Sequence, residues 1–376
     1  MPHKRVGLIV NPIAGMGGKV GLKGTDGAET AARARDLGAE PLAGTRARRA
    51  LERMAALSGG VEIVAPPGTM GEDAARAGGI QLSVIAGLTP RGGDTNADDT
   101  RAAAAAMMRQ GVDLLIFAGG DGTARDVHSA VGDKQPILGI PAGVKMQSGV
   151  FAANPASAGN LAAAFVSDAG TIRLRDAEVV DIDEAALREN RVSARLYGYA
   201  KVPYERWLMQ NAKSRPAALD DTALDALAAR IVSEMENDRL YVLGPGRTTK
   251  RILDHLGVNG TLLGVDAVCN RKLAGADLNE LQLLKLIESR PATIIVGVIG
   301  GQGYLFGRGN QQISAAVIRR VGRENIVVVA GAEKLIALDP PVLRADTGDD
   351  EIDRMLSGFA RVHVAPGQSI MIRLIA

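Results

Sequence analysis

Five short apolar runs in the first 140 residues, at 6–10, 61–65, 81–85, 113–118 and 137–140, each stop at Gly, Pro or polar residues. Between them lie alanine-rich segments whose apolar residues have helical spacing, notably 30–37, 46–56 and 98–110, the last with Gly111 as its stop. Short strands alternating with helices predict an α/β fold: a doubly wound, mostly parallel sheet covered by helices on both faces. In such sheets ligands sit beyond the carboxyl ends of the strands. Asn11-Pro12, Asp121 and Pro141-Ala142-Gly143 all fall at that edge, provided their strands are neighbours.

The fourth run ends in Gly119-Gly120-Asp121-Gly122-Thr123. Glycines at 119, 120 and 122 lack Cβ, so the backbone can take unusual φ values and bring N–H groups close to an anion. Thr123 can cap the following helix, whose N-terminus favours negative charge. Asp121 is the odd member, since a carboxylate is repelled by phosphate. It is therefore either a general base or a magnesium partner. The competing reading is a simple Asp-Gly hairpin turn, but residues 124–131 have helical rather than strand spacing.

This loop, with Val10-Asn11-Pro12-Ile13-Ala14-Gly15 upstream and Gly139-Ile140-Pro141-Ala142-Gly143 downstream, resembles the NAD kinase, diacylglycerol kinase and phosphofructokinase superfamily. The segment 139–155, Gly-Ile-Pro-Ala-Gly-Val-Lys-Met-Gln-Ser-Gly-Val-Phe-Ala-Ala-Asn-Pro, is most similar to the ATP-NAD kinase and AcoX-like branch. The resemblance implies a magnesium-dependent kinase, with ATP or polyphosphate as donor and NAD as acceptor. Asp121 would take the proton of the adenosine 2′-hydroxyl, or bind the metal. Gly119, Gly120, Gly122 and Thr123 would hold donor phosphates, with Asn11, Gly143 and Lys145 at the same site. The resemblance leaves open a lipid or small-metabolite acceptor, and a nucleotide-binding accessory protein of the AcoX type that does no chemistry. A P-loop is not formed at Gly18-Lys19, because Val20 follows in place of Ser or Thr, and residues 15–21 miss the dinucleotide fingerprint by one position. Residues 22–27 read as a phosphate or ribose loop, or as a surface loop.

A chain of 376 residues predicts two domains, and we place them at 1–165 and 166–376. In the second, 171–175 and 177–183 read as a strand pair, 195–202 as a strand, 210–218 as a mobile stretch, and 220–237 as one helix. Gly244-Pro245-Gly246-Arg247-Thr248-Thr249-Lys250 follows an apolar run. Its Gly244, Gly246, Thr248 and Thr249 suit an anion cradle or an ordinary strand-to-helix connection. It is the nearest counterpart of the Gly-Ser-Thr-Ala-Tyr motif of typical NAD kinases, and Asn279-Glu280, in a helical setting, is a doubtful match to that family's ribose-binding pair. Strands are expected at 261–265, 293–299 and 326–330, a glycine loop at 300–310, a helix at 311–321 and antiparallel strands at 361–375. The second domain is thus a mixed α/β unit.

Lys plus Arg number 44 against 42 Asp plus Glu, a net charge of +2, and aromatic residues are 3% of the chain, so nucleic acid is not the expected partner. The single Cys269 excludes an intrachain disulfide, and His3, His128, His255 and His363 have no zinc-type spacing. No signal peptide and no run of ~18 apolar residues is evident. We expect a cytoplasmic homo-oligomer with no membrane partner.

Overall fold

The computed structural model describes residues 4–22, 24, 27–58, 61–88, 95–144, 146–167, 172–182, 194–209 and 221–376. The chain forms two compact units: Met1–Met16 with Gly24–Gln210, and Gly17–Lys23 with Asn211–Ala376.

Strands β1 (Arg5–Val10), β2 (Glu62–Ala65), β3 (Leu82–Val84), β4 (Leu114–Gly119) and β5 (Ile137–Pro141) build the first sheet. Its order is β3-β2-β1-β4-β5, and every pairing is parallel. All six residues of β4 are buried, as a strand covered on both faces requires. Helices α1 (Ala28–Asp36), α2 (Ala43–Ala55), α3 (Glu72–Ala77), α4 (Ala97–Arg109), α5 (Asp121–Val131) and α6 (Pro155–Val166) supply that cover. The α2–α6 and α4–α5 pairs each pack together and against the sheet. Glycine sets the closeness of the first pair, because a Cβ on Gly159 would stand 2.3 Å from the Ala50 carbonyl oxygen. The start of α4 follows from sequence: Asn96 accepts from the Asp98 and Asp99 N–H groups, and Asp99 answers to the Asn96 N–H, a capping box. Leu114, Leu115, Ile116 and Phe117 are essentially inaccessible to water. Each such side chain contributes about 1.5–3 kcal/mol of burial.

Beyond α6 the first unit continues through an antiparallel hairpin of β6 (Arg173–Ile182) and β7 (Ala194–Tyr204) to Gln210, whereas the sequence reading placed the boundary near residue 165. Residues 173–182 form one strand, which corrects the expected pair at 171–175 and 177–183. Asp176 does not interrupt it, because its carboxylate pairs across the hairpin with Lys201 at 2.7 Å. Residues 210–218, expected to be mobile, lie outside the described residues, as do 23, 25 and 26 of the 22–27 loop.

Among the described residues the second unit carries a nine-stranded mixed sheet of β8 (Leu240–Leu243), β9 (Asp266–Cys269), β10 (Lys272–Gly275), β11 (Ala292–Gly297), β12 (Tyr304–Phe306), β13 (Ile326–Val329), β14 (Val342–Ala345), β15 (Gly358–Ala365) and β16 (Gln368–Ile375), in the order β10-β9-β8-β11-β13-β15-β16-β14-β12. Its centre is parallel: β8 (Leu240–Leu243), β11 (Ala292–Gly297) and β13 (Ile326–Val329). Antiparallel β15 (Gly358–Ala365) and β16 (Gln368–Ile375) fulfil the expectation for the tail. Two other expectations are corrected. Residues 261–265 form a turn, because the Thr261 N–H and hydroxyl both bind the buried Asp266 carboxylate, at 2.7 and 3.0 Å. The strand is β9 (Asp266–Cys269), antiparallel to β8. The helix expected at 311–321 begins only at Ala315, since Ser314 caps it and the Asn310 amide is spent on the Leu305 carbonyl. Near it, buried Arg308 pairs with Asp346 at 2.8 Å and stacks on the Tyr304 ring at 4.3 Å.

Candidate active site

The switch point of the first sheet lies between β1 and β4, where the order reverses, and the loops leaving β1, β4 and β5 converge there. The Asn11 N–H donates to the Ala118 carbonyl at 3.0 Å, continuing the β1–β4 ladder into the loop. On the other side the Gly119 carbonyl accepts from the Ala142 and Gly143 N–H groups at 2.9 and 3.0 Å. The neighbourhood assumed from sequence for Asn11, Asp121 and residues 141–143 is therefore present.

The glycines of the loop do not use a left-handed backbone. Gly120 is extended, φ −117°, and Gly122 is inside the first turn of α5, so neither carries a left-handed backbone. Gly119 is required for space, because a Cβ there would stand 2.4 Å from the Thr123 Cβ. Thr123 does not cap α5. That helix starts at Asp121, which makes Thr123 its third residue, and the Thr123 hydroxyl accepts from the Asn11 side-chain amide at 3.0 Å. Gly15, which the sequence reading did not single out as a site residue, is the constrained one: φ is +80°, and a Cβ would lie 2.0 Å from the Ala142 carbonyl oxygen.

Asp121 is 2% exposed. Its Oδ1 accepts from the Gln147 N–H at 2.9 Å, the Ser148 N–H at 2.9 Å and the Ser148 hydroxyl at 2.7 Å. Its Oδ2 accepts, among the described residues, from the shared Gln147 N–H at 2.7 Å. The two oxygens are thus unequal, and Oδ2 keeps the lone-pair capacity. Burial pushes the carboxyl up to about 6, against the lowering effect of the Ser148 and Gln147 donors, with the nearby Asp181 charge adding to the rise. Asp181, on β6, is held by Arg125 of α5 at 2.6 Å, and Asp126 by Arg101 of α4 at 2.9 Å.

Asn11, Gly120, Asp121, Gly122, Thr123 and Gly143 line one cleft of about 50 Å³, together with Gly15 and Asp181. Gly119 stands behind it, fixing the β5 loop through its carbonyl. Lys145 lies outside the described residues. Gln147, Ser148, Arg125 and Asp181 were missed. The first two sit inside the segment that carried the family resemblance, whereas nothing local marks Asp181, which the hairpin brings in.

The remaining candidates belong to the second unit. The Gly244 N–H donates to the Ile295 carbonyl at 2.9 Å and the Gly246 N–H to the Leu262 carbonyl at 2.8 Å. The Thr249 hydroxyl is 2.5 Å from the Gly244 carbonyl oxygen and 3.0 Å from that of Gly246. These bonds tie the loop to β11, to Leu262 and, through Thr249, to itself. Thr248 sits in the first turn of the helix Arg247–His255, facing Gly297. Asn279 caps the helix Glu280–Ile287 by accepting from the Gln282 N–H at 2.9 Å, a structural role.

Two family models span most of the chain: residues 6–169 match the ATP-NAD kinase N-terminal domain, and residues 236–374 match the ATP-NAD kinase C-terminal domain. The chain belongs to the ATP-NAD kinase family. No curated protein sequence matches it. Family membership makes the chain an NAD kinase-like phosphotransferase. Among the described residues no helix is long and apolar enough to cross a membrane.

The family implies a divalent metal, and the donor set tests whether the chain builds a site for one. Among the described residues no three metal-ligating side chains converge. Of the cleft carboxylates, Asp181 is paired with Arg125, and Asp121 accepts from Gln147 and Ser148. The described residues of this ATP-NAD kinase family member do not form a magnesium site of their own.

Proposed function

We propose that the chain transfers the terminal phosphoryl group of ATP, or of polyphosphate, to the adenosine 2′-hydroxyl of NAD, giving NADP. The observation that carries this reading is Asp121: a buried carboxyl at a helix N-terminus, its Oδ1 held by the Gln147 and Ser148 N–H groups and the Ser148 hydroxyl and its Oδ2 by the Gln147 N–H, with a pKa pushed up to about 6. A base at that value is about nine-tenths ionised at neutral pH and still basic enough to accept a proton in the transition state. In the reaction the O–H bond of the 2′-hydroxyl breaks, its proton passes to Asp121 Oδ2, and the oxygen forms its bond to the terminal phosphorus. The bond from that phosphorus to the bridging oxygen breaks, and the shortened donor leaves with the electron pair.

The rest of the cleft supports the same chemistry. The Ala124 N–H is the first to be taken by a helical carbonyl, that of Gly120. The N–H groups of Gly122 and Thr123, in the same first turn, lie at the positive end of the helix field, where donor phosphates are favoured. Asn11 holds Thr123 and so fixes the floor of the cleft. Magnesium would arrive on the donor phosphates, and no step above runs through it.

The test is phosphoryl transfer by purified protein with magnesium and ATP or polyphosphate, offering NAD, NADH, nucleosides, sugars and diacylglycerol, with the product identified by mass. NADP or NADPH formation that is lost in Asp121→Asn supports the reading. Transfer to a lipid or sugar instead replaces the acceptor, and nucleotide binding with no transfer to any acceptor overturns the enzyme reading.

A further inference from the structure

Ser148 has no exposed surface at all. Its Oγ lies 2.7 Å from Asp121 Oδ1 and 2.7 Å from the Val180 carbonyl oxygen, and it accepts from the Val180 N–H at 3.0 Å. A serine hydroxyl has one proton. It therefore cannot donate to both acceptors at once, although both stand at the same distance. When Asp121 is ionised the bond to Oδ1 is charge-assisted and the stronger of the two. When Asp121 is protonated that advantage disappears and the Val180 carbonyl competes on equal terms. Neither state leaves the buried hydroxyl without an acceptor, so the group can follow the charge on Asp121 without a desolvation penalty.

We propose that Ser148 is a positioning residue for the base, turning its hydroxyl proton between the Val180 carbonyl and Asp121 Oδ1 so that the ionised form is stabilised and the incoming proton is directed to Oδ2. The proposal rests on Asp121 acting as the base. It also gives the β6–β7 hairpin a part in the chemistry, because the alternative acceptor is backbone of β6.

The charge that acts on Asp121 is Asp181 on β6; Asp181 pairs with Arg125 of α5, Asp126 of α5 with Arg101 of α4, and the Arg46 guanidinium of α2 donates to the Pro141 carbonyl. All are common to the variants below, so differences between variants report Ser148. Removing a donor to the ionised carboxylate raises its pKa, and a charge-assisted bond of ordinary strength corresponds to about one to two pH units.

Two measurements decide it. The first is the pH profile of kcat/KM for wild type, Ser148→Ala and Ser148→Thr. The second is a carbon-13 titration of the Asp121 carboxyl in nucleotide-free protein, its signal assigned by its loss in Asp121→Asn. The acid limb and the carboxyl midpoint are expected to move up together in Ser148→Ala and to return in Ser148→Thr. If Ser148→Ala does not fold, Ser148→Cys, a weaker donor, takes its place. Loss of activity by the same factor at every pH, with the carboxyl midpoint unmoved, overturns the proposal and leaves Ser148 a packing residue. If wild type phosphorylates nothing, the kinase reading fails, while the titration still decides Ser148.

Discussion

Replacing Asp121 by Asn should change not only activity but the pH dependence of stability, with a sign opposite to that of a carboxylate paired with a cation. The carboxyl lies at about 6 in the folded protein against an ordinary value of 3.8, a difference of about 2 units. At about 1.4 kcal/mol per unit this is on the order of 3 kcal/mol. Because the native state binds the proton more tightly than the unfolded one, stability from this group is fully present below the unfolded pKa and is lost as pH rises through the folded one. Wild-type stability minus that of Asp121→Asn should thus fall by roughly 3 kcal/mol between about pH 3.5 and about pH 7. The Asn amide meets the Gln147 N–H donor and adds its own cost, but that cost is independent of pH. It shifts the whole difference curve vertically and leaves its shape alone. Urea unfolding at a series of pH values, followed by the fluorescence of Trp207, reads the first unit selectively, since this is the only tryptophan of the chain. Parallel stability curves for the two proteins would refute the reasoning, because they would mean that Asp121 titrates alike folded and unfolded.

Gly119→Ala places a Cβ 2.4 Å from that of Thr123, so α5 and Asp121 must move. The expected cost is about 1–3 kcal/mol, seen as a lower melting temperature, with turnover down roughly 100-fold from the displaced base; unchanged melting and turnover would contradict it. In the second unit, Arg308→Met leaves the buried Asp346 carboxylate without its 2.8 Å partner. Denaturant titration should show a loss of about 3–5 kcal/mol, and a loss below about 1 kcal/mol would remove that ion pair from the account.

The parallel sheet was legible because its signals are local. Each apolar run between breakers became a strand, and the alanine-rich segments became helices within a few residues of the expected ends. Asp121 stood out for a similar reason, a carboxylate in a glycine loop being chemically unusual, and the structure places it in the cleft. Gly119 packs against Thr123, and Thr123 against Asn11 through a long-range contact that spacing does not reveal. Ser148 and Asp181 act on Asp121 through a loop and a hairpin, so their identity depends on tertiary packing. The turn at 261–265 was misread because its residues alternate like a strand, while the buried Asp266 carboxylate folds them back. The long strand β6 was split at Asp176, a residue that looks like a breaker until its Lys201 partner is known.

The measurement that tests the central claim most directly is NADP formation from ATP and NAD by wild type and by Asp121→Asn, each checked for folding by the Trp207 signal. The account predicts NADP from the wild-type protein and its loss in a folded Asp121→Asn variant. NADP formation at the wild-type rate by that variant would contradict the assignment of the base and, with it, the mechanism built on this cleft.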